Sequence, residues 1–147
     1  MPDDLCGVRV GADLLRPVLA PGKQLKVESS DHAPDAPRCQ AVVDHRRVLY
    51  VRGDVVSLDE DPIQSTREEL ERWGHPEKIA VGDDGRVADG TVIAFTSCTY
   101  HGEKRRFAAQ ANMEGKLKDD MSATREALTR FMAAYLPAAS KAVGCPR

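Results

Sequence analysis

The segment TVIAFTSCTY at residues 91–100 and the segment RRFAAQANM at residues 105–113 decide the fold. The first is dense in β-branched and aromatic residues, which favour strands. A tight turn at His101, Gly102 and Glu103 joins the two segments, so we expect an antiparallel hairpin. The second strand of that hairpin carries its apolar side chains, Phe107, Ala109 and Ala111, on one side.

A second hairpin is predicted earlier in the chain, over Cys39–Val56. Its strands are Gln40–Val43 and Val48–Val51, with turn residues at 44–47, and Gly53-Asp54 interrupts the second strand as a bulge. An alternating segment at 23–28 predicts one more short strand.

Helices are expected before, between and after these hairpins. A short helix follows Asp13, a second spans about residues 67–73, and a third starts near Asp120 or Ser122. The last helix has a buried stripe at helical spacing: Leu128, Phe131, Met132, Tyr135 and Leu136. The order predicts one α+β domain over residues 1–147, with a mostly antiparallel sheet built of hairpins and helices packed on one face.

Composition excludes several functional classes. The 147 residues include 21 Lys and Arg against 23 Asp and Glu, a net charge of -2. This balance argues against nucleic acid as a partner, because such proteins concentrate positive charge. No apolar run reaches the roughly 18 residues of a transmembrane helix.

Four widely spaced cysteines predict two disulfides. Their spacing excludes the close ligand pairs of structural zinc sites and the Cys-x-x-Cys of thioredoxin-like centres. Three connectivities exist, and we favour Cys6–Cys39 and Cys98–Cys145, because each pair ties the edge of a helical segment to a strand in its own half. Four reduced cysteines in a cytosolic protein are the alternative.

Disulfides also predict export to an extracellular or cell-surface location. The start Met1-Pro2-Asp3-Asp4 lacks the basic and apolar regions of a signal peptide. If the disulfides form, we therefore expect an export signal that has been removed.

The chain resembles a family of actinobacterial exported proteins and lipoproteins without an assigned activity. Leu5-Cys6-Gly7, a short helix ending at Pro21-Gly22, and Arg38-Cys39 carry the resemblance in the first half. Tyr100-His101-Gly102, the segment Tyr135–Ala138 and Gly144-Cys145 carry it in the second. The resemblance implies export, two structural disulfides and a lipid anchor upstream of residue 1. It assigns no catalytic residue.

No motif predicts a catalytic, cofactor-binding or metal-binding residue. The histidines have no ligand spacing, no Gly-x-Ser-x-Gly is present, and the acidic loops lack the calcium-binding pattern. His45 and His101 both lie at predicted hairpin turns, and they converge if the turns meet. A hydrolase-like or metal-dependent enzyme with a site of dispersed His and Asp residues is therefore an alternative.

Basic residues cluster at the tips of both hairpins. If the hairpins lie side by side, the two tips form one positive patch for an anionic envelope ligand or an acidic protein. The leading interpretation is thus a non-enzymatic exported or cell-surface binding module without a cofactor, and a passive structural envelope protein is the other alternative. The residues of the predicted partner surface are Arg46, Arg47, Lys104, Arg105 and Arg106.

Overall fold

Seven strands form one antiparallel sheet at the centre of the protein, in a computed structural model that describes residues 2–114 and 120–147. A separate two-stranded hairpin, β1 (Asp4–Leu5) and β2 (Val8–Arg9), precedes it. The strands of the central sheet are β3 (Leu25–Ser29), β4 (Arg38–Val43), β5 (Arg46–Val56), β6 (Glu77–Lys78), β7 (Asp84–Ala88), β8 (Thr91–Tyr100) and β9 (Glu103–Met113). Their order across the sheet is β3-β4-β5-β9-β8-β7-β6.

Within the described residues four helices accompany the sheet, and together they confirm the α+β class. Their bounds are α1 (Ala12–Leu15), continued by a 3-10 turn at Arg16–Val18, α2 (Pro62–Ser65), α3 (Arg67–Trp73) and α4 (Met121–Ala142). No helix in the described ranges has the length and apolarity to cross a membrane.

The β8–β9 hairpin is the one expected from its sequence. Tyr100 pairs with Glu103 across a two-residue turn. The turn residues His101 and Gly102 have φ values of 50° and 80°. Positive φ at both central residues matches the right-handed twist of the strands, and this turn type is favoured in short hairpins.

The first hairpin differs in detail from the prediction. Its turn is only two residues long, Asp44-His45, and the register irregularity lies between Ala41 and Val42. The predicted bulge at Gly53-Asp54 is wrong, because β5 runs through it in regular register with β9. Gly53 serves packing instead: a Cβ there would lie 2.5 Å from Cζ of Phe107.

The main core lies between α4 and one face of the sheet. The predicted stripe of α4 is buried along its length, and Phe131 and Met132 are wholly inaccessible. It packs on alternate residues of β8 and β9, such as Val92 and Ala109. The helix continues through Pro137 to Ala142.

A smaller layer covers part of the opposite face. Ile63 of α2 and Leu70 of α3 pack on Ile93 and Phe95, which point away from α4 because strand side chains alternate. Helix α2 was not predicted from the sequence. Asp61 caps its first turn by accepting hydrogen bonds from two backbone N–H groups. The long helix therefore lies on one face as expected, and the structure adds a second, partial helical layer on the other.

Both predicted disulfides are present. Cys6–Cys39 joins the β1–β2 hairpin to β4 with a Cα–Cα distance of 6.0 Å. Cys98–Cys145 joins β8 to the end of the chain, beyond α4, with a Cα–Cα distance of 5.2 Å. The two bridges tie the segments before and after the sheet to its strands.

Candidate functional site

The two basic hairpin tips lie at opposite ends of the sheet. Register pairs Leu49 with Met113 and Val56 with Arg106, so the start of β5 meets the end of β9. Arg46 and Arg47 therefore stand at one end, and the Lys104–Arg106 segment stands at the other. The single positive patch predicted from sequence does not form, because the hairpins meet through their second strands.

Three of the predicted surface arginines are also engaged locally. Arg47 Nη2 donates to Glu114 Oε1 at 2.8 Å, and this pairing raises the pKa of Arg47. Arg105 forms an ion pair with Glu103. Arg106 donates to the backbone carbonyl of Glu60 and lies 4.8 Å above the ring centroid of Phe95. These contacts hold the guanidinium groups against the protein surface.

The histidines do not assemble into a shared site. His45 and His101 occupy the two turns and are separated by the length of the sheet. His75 Nδ1 lies 3.1 Å from Asp89 Oδ2, with its ring exposed. Within residues 2–114 and 120–147, no group of three or more His, Cys, Asp or Glu residues is placed to hold a metal ion. All four cysteines are bridged, so none carries a free thiol.

A cleft of about 280 Å³ opens on the face opposite α4, where α2 meets β5 and β9. Its apolar wall includes Pro62, Ile93 and Ala108, and its polar groups include Arg52 and Gln110. Because side chains alternate along β5, the burial of Val51 and Gly53 on the main-core face of the sheet turns Arg52 towards this cleft.

A buried amide, that of Gln110, positions Arg52. Nε and Nη2 of Arg52 both donate to Oε1 of Gln110, at 3.2 Å and 2.8 Å. Nε2 of Gln110 in turn donates to a carboxylate oxygen of Glu69. A guanidinium on one side and a carboxylate on the other fix the orientation of the amide.

The hydrogen-bond network continues beneath Gln110. Gln110 is 2% exposed and Thr91 is fully buried. Nε2 of Gln110 lies 3.2 Å from Thr91 Oγ1 and 3.2 Å from Asn112 Oδ1, and Thr91 donates to Asn112 at 2.6 Å. Buried polar groups are costly unless they are satisfied, and satisfied networks rigidify the groups they hold. The network therefore pre-organises Arg52.

The neighbouring charges of Arg38 and Asp54 are paired with each other. Arg38 Nη2 donates to Asp54 Oδ1 at 3.1 Å, and Arg38 Nη1 donates to the backbone carbonyl of Gly53 at 2.7 Å. Arg52, by contrast, forms no ion pair with any carboxylate in the part of the chain that the structure describes. The cleft thus holds one cation whose described side-chain partner is a neutral amide.

Sequence reasoning did not identify Arg52, Gln110 or Glu69. The available signal was the polar set Gln110 and Asn112 in a strand whose alternate residues, Ala109 and Ala111, are apolar. This alternation indicates that the other face of the strand carries polar side chains and does not belong to a purely hydrophobic core.

Comparisons with protein-family models, with curated proteins and with solved structures find no match to the chain.

Proposed function

We propose that the protein is a non-enzymatic exported module that binds a ligand or partner at the cell surface, and that the cleft beside α2 is its binding site. Arg52 carries this proposal, since it is a pre-organised cation without a carboxylate partner in the described structure. Clefts with apolar walls and a few convergent polar groups are the usual form of ligand sites.

The chemistry of the cleft supports binding over catalysis. Asp54 is held by Arg38, and the hydroxyls of Ser65 and Thr66 both donate to the backbone carbonyl of Pro62. A nucleophilic hydroxyl needs a base that accepts its proton, and these protons are directed to a carbonyl. Arginine side chains are suited to binding anions and not to transferring protons.

The two disulfides support the proposed compartment. Bridges of this kind persist outside the reducing cytoplasm, and the resemblance to exported proteins points the same way. In cells that produce the protein, alkylation of free thiols followed by mass spectrometry should find none of the four cysteines modified before reduction. Modification of all four would contradict export.

Binding is tested with three small probes that share one hydrocarbon skeleton: 3-methylbutanoate, 3-methylbutanamide and 3-methylbutylamine. Each is titrated into ¹⁵N-labelled protein, and backbone amide shifts are followed. We expect at least one probe to produce saturable shifts at the amides of Arg52, Thr66 and Gln110. If none of the three moves these signals, the cleft is not a binding site, and the passive envelope protein becomes the better interpretation.

A further inference from the structure

We propose that the cleft selects a single carboxylate attached to a small apolar group. This inference rests on the proposed function, because it names the ligand class of the same site. It follows from the free donors of Arg52, from the charges around them, and from the size and walls of the cleft.

Arg52 has donors left for a ligand. A guanidinium carries five N–H donors. Nε and one N–H of Nη2 serve Gln110, which leaves both N–H groups of Nη1 and the second of Nη2. These three donors lie in the plane of the guanidinium, and one Nη1–H and the Nη2–H form the parallel pair that a carboxylate accepts in a bidentate manner.

The surrounding charges favour one negative charge over two. Asp54 and Glu60 are among the residues that line the same cleft, and the second nearby cation, Arg38, is paired with Asp54. A phosphate dianion would meet one available guanidinium and the repulsion of these carboxylates. A carboxylate matches the single unpaired cation.

The walls and size of the cleft define the rest of the ligand. Pro62, Ile93 and Ala108 contribute apolar atoms to the lining of the cleft. Ile93 is only 3% exposed and Ala108 only 8% exposed, so the apolar surface open to a ligand is small. The volume of about 280 Å³ corresponds to roughly nine water molecules in the liquid. The cleft therefore admits a group the size of an amino-acid residue, which is either a free short organic acid or the carboxyl-terminal residue of a peptide.

The same three probes test this selectivity. For so small a ligand we expect a Kd on the order of 1–10 mM for 3-methylbutanoate. The amide and the amine should bind at least tenfold more weakly, and inorganic phosphate should leave the cleft amides unchanged. N-acetyl-L-valine, which has the same branched group beside a peptide-like carboxylate, separates the two sources: tighter binding than 3-methylbutanoate indicates a peptide terminus, and weaker binding indicates a free acid.

Variants connect the selectivity to Arg52. Arg52→Gln should weaken 3-methylbutanoate binding at least tenfold. Arg52→Lys keeps the charge but loses the planar pair of donors, so it should weaken binding severalfold. Arg130→Gln, at an exposed position on α4, is the matched control and should bind as the parent does.

The outcomes separate the inference from the proposed function. If the amide, the amine or phosphate binds in the cleft as tightly as the acid, or if acid binding survives both Arg52 variants, the cleft is a site but the carboxylate assignment is wrong. If no probe shifts the cleft amides of the parent protein, the inference and the proposed function both fail.

Discussion

The face of the sheet beneath α4 and the face beside α2 and α3 are built from alternate residues of the same strands, yet their chemistry differs. Beneath α4 lie apolar side chains such as Val92 and Ala109, packed on Phe131. On the other face only a small apolar cluster around Ile93 is covered, and polar residues such as Arg52 and Gln110 follow. Two adjacent positions in one strand therefore face an apolar core on one side and a polar cleft on the other.

Substitutions in the two hydrophobic clusters should show the largest difference in unfolding free energy between the two faces. Phe131→Ala should lower the free energy of unfolding by about 4–5 kcal/mol, because it leaves a cavity in a fully buried site. Phe95→Ala, in the smaller cluster, should cost about 3 kcal/mol, since Phe95 is 7% exposed and its neighbours are fewer. Denaturant unfolding of both variants checks the order. Equal losses would show that the two clusters stabilise the fold alike.

Removal of a disulfide is expected to have the next largest effect on the unfolding free energy. Replacing Cys98 and Cys145 together with alanine opens a bridge between residues 47 positions apart. The chain-entropy model predicts a loss of about 4 kcal/mol. The same replacement at Cys6 and Cys39, 33 positions apart, should cost slightly less. Thermal and denaturant unfolding measure both, and a stable Cys98/Cys145 double variant would show that α4 holds the sheet without its covalent tie.

Gly53→Ala probes the packing of Phe107 beneath α4. A Cβ at position 53 would lie 2.5 Å from Cζ of Phe107, so the substitution should cost about 1–3 kcal/mol by overpacking. In a Phe107→Leu background the added methyl has more room, and Gly53→Ala should cost less there. Equal costs in both backgrounds, measured by denaturant unfolding, would place the origin of the loss elsewhere.

A smaller, pH-dependent effect is expected where α4 contacts the sheet edge. The hydrogen bond with His75 holds the pKa of Asp89 below its usual range, and the charge of Arg125 adds to this effect. Because the folded-state pKa is depressed, the stabilisation is present above the unfolded-state pKa of about 3.9. It is lost as the pH falls through the folded value. The unfolding free energy of Asp89→Asn should fall less between pH 6 and pH 2 than that of the parent. If the unfolding free energies of Asp89→Asn and the parent fall in parallel over this pH range, Asp89 is not the source of the pH dependence.

Sequence patterns predicted the elements whose signal is local. The β8–β9 hairpin, helix α3 and the buried stripe of α4 depend on residues close in the chain, and all are confirmed. Strand β7 was missed, because Asp84 and Gly85, typical turn residues, begin it. There the pairing with β8 overrides local preference.

The cleft could not be predicted, because it depends on long-range register. Arg52 and Gln110 are 58 positions apart and face each other only after β5 pairs with β9. Glu69 reaches the same amide from α3, 41 positions away. The same pairing places the two basic hairpin tips, which were predicted to form one patch if the hairpins lay side by side, at opposite ends of the sheet. The spacing of residues along the chain predicts neither the contact between Arg52 and Gln110 nor the separation of the hairpin tips.

The most direct test of the account compares stability with binding in a single variant. Arg52→Gln should lower the unfolding free energy by about 1 kcal/mol, because Oε1 of the buried Gln110 loses its donor, while the Kd for 3-methylbutanoate rises at least tenfold. The two values are measured on the same preparation. A loss of stability of about 2 kcal/mol with an unchanged Kd would show that the polar half of this face holds the fold together and does not bind a ligand.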